Sequence, residues 1–166
     1  GDGQYMIGVY NAPVLDPKTN KNSTYSLWSV NGFNGQARYV GPLSIAPADF
    51  AYNPFDGYLY HMEDEELLQI SPMDGTSKRL FNVSGLHDLT GGYGSSWFDS
   101  DGKLYVQRNG DGAIFQVDVT HEEYRYVGET GPVNGADAAS CIGDLELLKY
   151  VVNETTWQAV EPASRL

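Results

Sequence analysis

The sequence predicts an all-β fold of antiparallel, four-stranded blades arranged as an incomplete β-propeller. Three observations predict it. Asp56-Gly57-Tyr58-Leu59-Tyr60 recurs as Asp101-Gly102-Lys103-Leu104-Tyr105, 45 residues on, and a shortened copy, Asp2-Gly3-Gln4-Tyr5, opens the chain. Each copy is followed by an alternating apolar quartet: Leu27-Trp28-Ser29-Val30, Leu67-Leu68-Gln69-Ile70 and Ile114-Phe115-Gln116-Val117. A closing echo pairs Tyr39-Val40-Gly41-Pro42 with Tyr126-Val127-Gly128, and Arg79-Leu80-Phe81 holds the equivalent place in the middle copy. The period of about 40–47 residues is read as that of a four-stranded blade, not of a helical-hairpin repeat.

Local chemistry justifies each element in turn. Asp-Gly is the preferred pair for tight turns, because Gly accepts positive φ and Asp bonds nearby backbone. Phe50, Tyr52, Trp97 and Phe98 lie on the strands entering the turns, and the Leu-Tyr pair alternates faces on leaving them. Each Asp-Gly-x-Leu-Tyr is therefore read as a hairpin. The following loop varies: a polar excursion from Pro13 to Thr24, then Glu63-Asp64-Glu65-Glu66, then Asn109-Gly110-Asp111-Gly112. Ser71-Pro72-Met73-Asp74-Gly75 turns the chain after the second quartet. Helical periodicity surfaces only near Asp144–Tyr150, where Leu145, Leu147 and Leu148 fit a strand equally well. The blades are placed at about 1–42, 43–84 and 85–135 within a repeat region 1–141, and a divergent tail covers 142–166.

A propeller ring needs about four blades. Three copies are clear here, and the first starts at its Asp-Gly turn, so its outer or inner strand is expected to be missing from the N-terminal side and the ring to stay open unless the tail supplies it. An unpaired strand edge invites pairing with another segment or chain. The expected partners are other segments of the same parent protein or identical subunits. Tyr5, Ile7, Val9 or the tail strands Leu145–Val152 are the residues expected to be covered.

Composition narrows the functional class. Ten Lys and Arg stand against 22 Asp and Glu, a net charge of −12, which opposes nucleic-acid binding. No apolar run approaches the roughly 18–20 residues of a membrane span. Twelve Tyr, six Phe and three Trp are too much aromatic surface for a disordered chain. Cys141 is the only cysteine, which excludes an intramolecular disulfide and leaves it as a nucleophile, a core or turn thiol, or half of an intermolecular bond, with the core or turn reading preferred. The chain opens on Gly1 without a signal peptide, and reads as processed or excised. Asn22, Asn82 and Asn153 each begin an Asn-x-Ser/Thr acceptor for glycosylation, which together with few lysines points to an extracellular or cell-surface location.

Catalytic chemistry is not visible in the motifs. No Gly-x-Ser-x-Gly elbow occurs, and nothing pairs Cys141 with His61, His87 or His121. The three histidines read as solvated turn residues. Calcium is the metal candidate, because Asp99-Ser100-Asp101-Gly102 resembles the start of an acidic loop, although the distal ligands of an EF-hand are missing. An Asp-Gly turn accounts for Asp99 and Asp101 without metal. Glu63–Glu66 reads as a solvated loop that could also attract cations or a basic partner. Gly91-Gly92-Tyr93-Gly94-Ser95-Ser96 precedes a strand rather than a helix, so it is not a phosphate loop. Trp97 and Tyr93 offer flat apolar faces on which a sugar ring could stack, or that could pack between blades.

Two runs carry a family resemblance. Asp49 through Tyr60, and Gly91 through Asp99 with Gly102-Lys103-Leu104-Tyr105 and Asn109, are similar to blade motifs of an uncharacterised propeller-like domain of secreted and surface modular proteins. Asn134 through Cys141 resembles that domain's terminal Asp-Gly-Ala-x-Cys motif, with Ala138 where Gly is usual. The resemblance covers roughly residues 1–141 and corresponds to the domain's C-terminal part. It implies a structural or adhesive context rather than a mechanism, and brings no established enzymatic activity with it. The function expected is a non-catalytic extracellular structural or adhesive module, assembling through sheet edges and loops. A carbohydrate- or calcium-dependent binding module is the alternative, and a propeller hydrolase or lyase fragment the third reading.

Overall fold

Short runs of alternating apolar and polar residues, bounded by Gly, Pro, Asp and Asn, become eleven strands among the described residues. The computed structural model describes residues 5–83, 92–133 and 136–137, and no helix occurs among them. Blade 1 holds β1 (Tyr5–Leu15), β2 (Asn22–Asn31) and β3 (Ala37–Leu43). Blade 2 holds β4 (Ala51–Tyr52), β5 (Leu59–Glu63), β6 (Glu66–Ile70) and β7 (Ser77–Asn82). Blade 3 holds β8 (Tyr93–Phe98), β9 (Leu104–Arg108), β10 (Ala113–Asp118) and β11 (Glu123–Glu129). Each sheet is antiparallel with strands in sequence order, and among the described residues the sheets do not close into a ring, consistent with an incomplete propeller.

The Asp-Gly turns form as their chemistry dictates. Gly57, Gly75 and Gly102 have φ of 77°, 77° and 76°, values open to glycine without strain. Asp56 Oδ1 accepts the Tyr58 amide at 3.0 Å, and Asp74 Oδ1 accepts that of Thr76 at 3.1 Å. The stretch from Pro13 to Thr24 departs from the expected polar excursion. Val14 pairs with Ser23 and Leu15 with Asn22, so its two ends extend a long hairpin and only residues 16–21 form the connecting turn. Pro13 sits in the register break between Asn11 and Val14, where a missing N–H leaves no ladder bond unmade.

Register pairs align the blades. Val9–Leu27, Met62–Leu67 and Gln107–Ile114 are equivalent cross-strand pairs, so β1 corresponds to β5 and β9. β5 and β9 each have a neighbour on both sides; β1 pairs with β2 alone among the described residues. Among the described residues, blade 1 has no counterpart of the innermost strand, held by β4 and β8 in the other two. Those inner strands lie against each other, while β7 and β11 at the other margin are largely exposed.

Alternation along each strand then builds a core on both sides of blade 2. Leu27, Val40 and Leu43 of blade 1 meet Leu59 and Ile70 of blade 2. The next residue along, Tyr60, points the opposite way and joins Met62 and Leu67 against Phe98, Leu104, Val106, Phe115 and Val117 of blade 3. Each fully buried Leu, Ile or Val contributes about 1.5–3 kcal/mol.

Candidate functional site

The open inner edge of blade 1 borders a groove of about 460 Å³, lined by Val9, Asn11, Tyr25 and the connection Ala46–Phe50. Ile7 and Val9 are only half-buried and pack against the blade 1–blade 2 core, whereas Tyr60 and Met62 on the matching strand of blade 2 are each 2% exposed. An extended strand here would find backbone amides and carbonyls along one side and apolar side chains beneath it. That is the geometry of strand addition.

Asp49 closes the floor of the groove and ties two blades together. Its Oδ2 accepts the Ser96 amide at 2.6 Å and the Ser96 hydroxyl at 3.2 Å. Burial pushes its carboxyl above the ordinary range against the pull of the Phe50 and Ser96 amides, and the negative charge of Asp137 pushes it further. His61 lies alongside with 3% exposure. Its Nδ1–H donates to the Asp49 carbonyl at 2.7 Å, and its Nε2 lies 3.1 Å from Glu63 Oε2. His61 is therefore a buried strand residue, which corrects the expectation of a solvated turn: β5 begins two residues after the hairpin and carries it inward. The imidazole is bound to a backbone carbonyl and a carboxylate, and Ser96 to Asp49, so these groups do not compose a serine–histidine nucleophile.

The other expected site residues disperse. Asp99 Oδ1 accepts the amides of Asp101 at 2.9 Å and Lys103 at 2.8 Å, which makes it the cap of its turn. No group of three or more His, Cys, Asp or Glu that could hold a metal occurs among the described residues. Glu63 and Glu66 pair across a two-residue turn in which Asp64 takes φ of 51°. Trp97 is half-buried and stacks on Tyr105 at 5.4 Å and 8° between planes. Tyr93 is 2% exposed inside the blade 2–blade 3 core and has no face for a sugar, a correction to its pairing with Trp97. Asn22 and Asn82 are exposed at strand ends. His121 is exposed and bonds Asp118 Oδ2 at 3.0 Å. Asp2-Gly3, His87, Cys141, Leu145–Val152 and Asn153 lie outside the described residues. Asp49 carried no motif of its own; its only signal was its place before Phe50 at the head of a blade.

Residues 4–143 match a family described as a repeat of unknown function, DUF6923. The chain belongs to this family. Comparison with solved structures finds similarity to longer proteins. The DUF6923 chain is similar to a luciferin-regenerating enzyme, with 14% identity and a TM-score of 0.52 over 83% of this chain and 48% of that one. It is also similar to regucalcin of Agrobacterium tumefaciens, a calcium-binding protein, with 18% identity and a TM-score of 0.46 over 72% and 41% of the two chains. The third is virginiamycin B lyase of Staphylococcus aureus, with 10% identity and a TM-score of 0.43 over 77% and 47%. The DUF6923 chain thus spans about half the length of each. Curated proteins returned no significant match.

Proposed function

We propose that this DUF6923 chain is a non-catalytic structural or adhesive module of the cell exterior, which associates with further polypeptide through its sheet edges and loops. The observation that carries the reading is the β1 edge, with the groove of about 460 Å³ beside it. Exposed strand edges are a liability that proteins blunt or pair, and β1 runs eleven residues with half-buried Ile7 and Val9 beside the core. The exposed glycosylation acceptors Asn22 and Asn82 support the exterior location. The turn-capping duties of Asp56, Asp74 and Asp99 account for part of the acidity by structural roles.

The test is amide hydrogen exchange on the chain secreted from a eukaryotic host, with glycan removal read by mass. The groove-facing amides of β1 should exchange at least tenfold more slowly than amides at the exposed margin of β7. Glycans should leave Asn22 and Asn82. Fast exchange along β1 in the native particle would overturn the assembly reading, and intracellular retention without glycan would overturn the exterior location.

A further inference from the structure

We propose that blade 1 carries a binding site for a uronic acid, the carboxylate-bearing sugar of acidic glycans, at the place where its side chains depart from those of blades 2 and 3. The site goes beyond the assembly reading, and none of its described lining residues belongs to the groove beside β1.

Comparison of the three blades locates it. Register aligns one residue from each of three adjacent strands into a row. The rows are Ile7–Ser29–Arg38 in blade 1, Tyr60–Gln69–Lys78 in blade 2 and Tyr105–Gln116–Arg125 in blade 3. On blade 2, Gln69 Nε2 donates to Tyr60 Oη at 2.8 Å. On blade 3, Gln116 donates to Tyr105 and its Oε1 accepts Arg125 Nε at 2.8 Å, so hydroxyl, amide and guanidinium form one continuous chain. Blade 1 keeps the cation and loses both of its supports. Serine is too short to reach across from β2 to the guanidinium as Gln116 does, and isoleucine has no hydroxyl to offer. Among the described residues no hydrogen bond or ion pair engages the Arg38 side chain.

The shorter side chains leave a groove of about 460 Å³, lined by Ser29, Asn31, Gln36, Ala37 and Arg38. Small-ligand sites occupy roughly 300–1,000 Å³ and fix their ligand with a few polar groups. Ser29 is buried at 8% exposure, whereas Gln36 and Arg38 are exposed at the rim. Asn31 Oδ1 already accepts the Phe33 amide at 2.9 Å, which leaves the Asn31 NH2 to donate. The Ser29 hydroxyl and the Gln36 amide can each donate and accept, as sugar hydroxyls require. Arg38 adds a planar fork that fits a carboxylate through paired hydrogen bonds.

Charge favours an acidic sugar over a neutral one. The chain carries −12, yet residues 17–48 contain no Asp or Glu and hold Lys18, Lys21 and Arg38. Carboxylates elsewhere are screened over about 8 Å at physiological salt, so the close guanidinium governs an anion in the groove.

Calorimetric titration of the full chain with glucuronate, glucose and acetate separates the contributions. Glucuronate should bind with a dissociation constant on the order of 1 mM. Glucose, which lacks the carboxylate, and acetate, which lacks the hydroxyls, should each bind at least tenfold more weakly. Arg38→Gln should reduce glucuronate affinity at least tenfold with an unchanged urea midpoint, because the exposed side chain bonds nothing in the fold. Ser29→Gln, which rebuilds the amide–guanidinium bond of blade 3, should do the same while Arg38 stays in place. Glucose binding as well as glucuronate would overturn the carboxylate pairing. Acetate binding as well would overturn the sugar assignment and point to an acidic side chain of a protein. Absence of glucuronate binding at about 10 mM, or full affinity in Arg38→Gln, would overturn the site itself. Neither substitution lies on β1, so exchange protection along that strand tests the assembly reading separately.

Discussion

Asp49 shows how much one side chain can decide. A carboxylate sunk between two blades is stabilised there by the Ser96 amide and hydroxyl, yet burial still holds its carboxyl above the ordinary range near 3.8. A group whose folded value is raised stabilises the fold below the unfolded value, and that contribution is lost as pH rises through the folded value. Asp49 therefore favours the folded state more in acid than at neutral pH. Asp49→Asn should remove this component, so that thermal denaturation at pH 4 and pH 7 differs less than in the parent chain; an unchanged difference would refute the assignment. Asp118 has the opposite sign, since Lys103 first and then His121 hold its carboxyl well below the usual range. Its contribution is present at neutral pH and fades only as pH falls through that lowered value.

At the scale of elements, the turns were legible because their chemistry is local. Asp56-Gly57, Asp74-Gly75 and Asp101-Gly102 could be placed from residue type alone, since the φ value and the carboxylate–amide bond lie within a few residues of each other. The faces of strands were less legible. Strict alternation puts Tyr93 and Trp97 on one side of β8, but a register break between Tyr93 and Ser95 reverses the parity. Tyr93 consequently enters the core with Phe98, and Trp97 turns outward onto Tyr105. Close approach between elements is equally silent in sequence. A Cβ at Gly41 would lie 1.8 Å from the Asp74 carbonyl oxygen, where β3 meets the β6–β7 turn. Gly41→Ala should cost about 1–3 kcal/mol or more in urea denaturation, the usual penalty for overpacking. A loss under 0.5 kcal/mol would mean the two blades do not touch there.

For the whole molecule, stability resides in the two interfaces between blades, because each sheet buries side chains on faces it cannot cover alone. Leu27 is fully buried in the first interface. Leu27→Ala should cost about 2–5 kcal/mol, read as a lower urea midpoint for the domain as one cooperative transition. If instead only blade 1 melts early and the remainder is unaffected, the blades are energetically separable.

Repeat length, turn chemistry and alternation specified an all-β chain of antiparallel blades, since each is written in contacts between near neighbours. Folding in three dimensions settled the rest: that β1 pairs on one side alone among the described residues, that His61 is buried, that Asp49 bridges blades, and that Tyr93 and Trp97 part company. Those outcomes turn on register breaks and on contacts between residues far apart along the chain, such as Asp49 with Ser96, 47 positions on. A period-two pattern records that a strand has two faces; which face meets which neighbour is set by the packing of sheets.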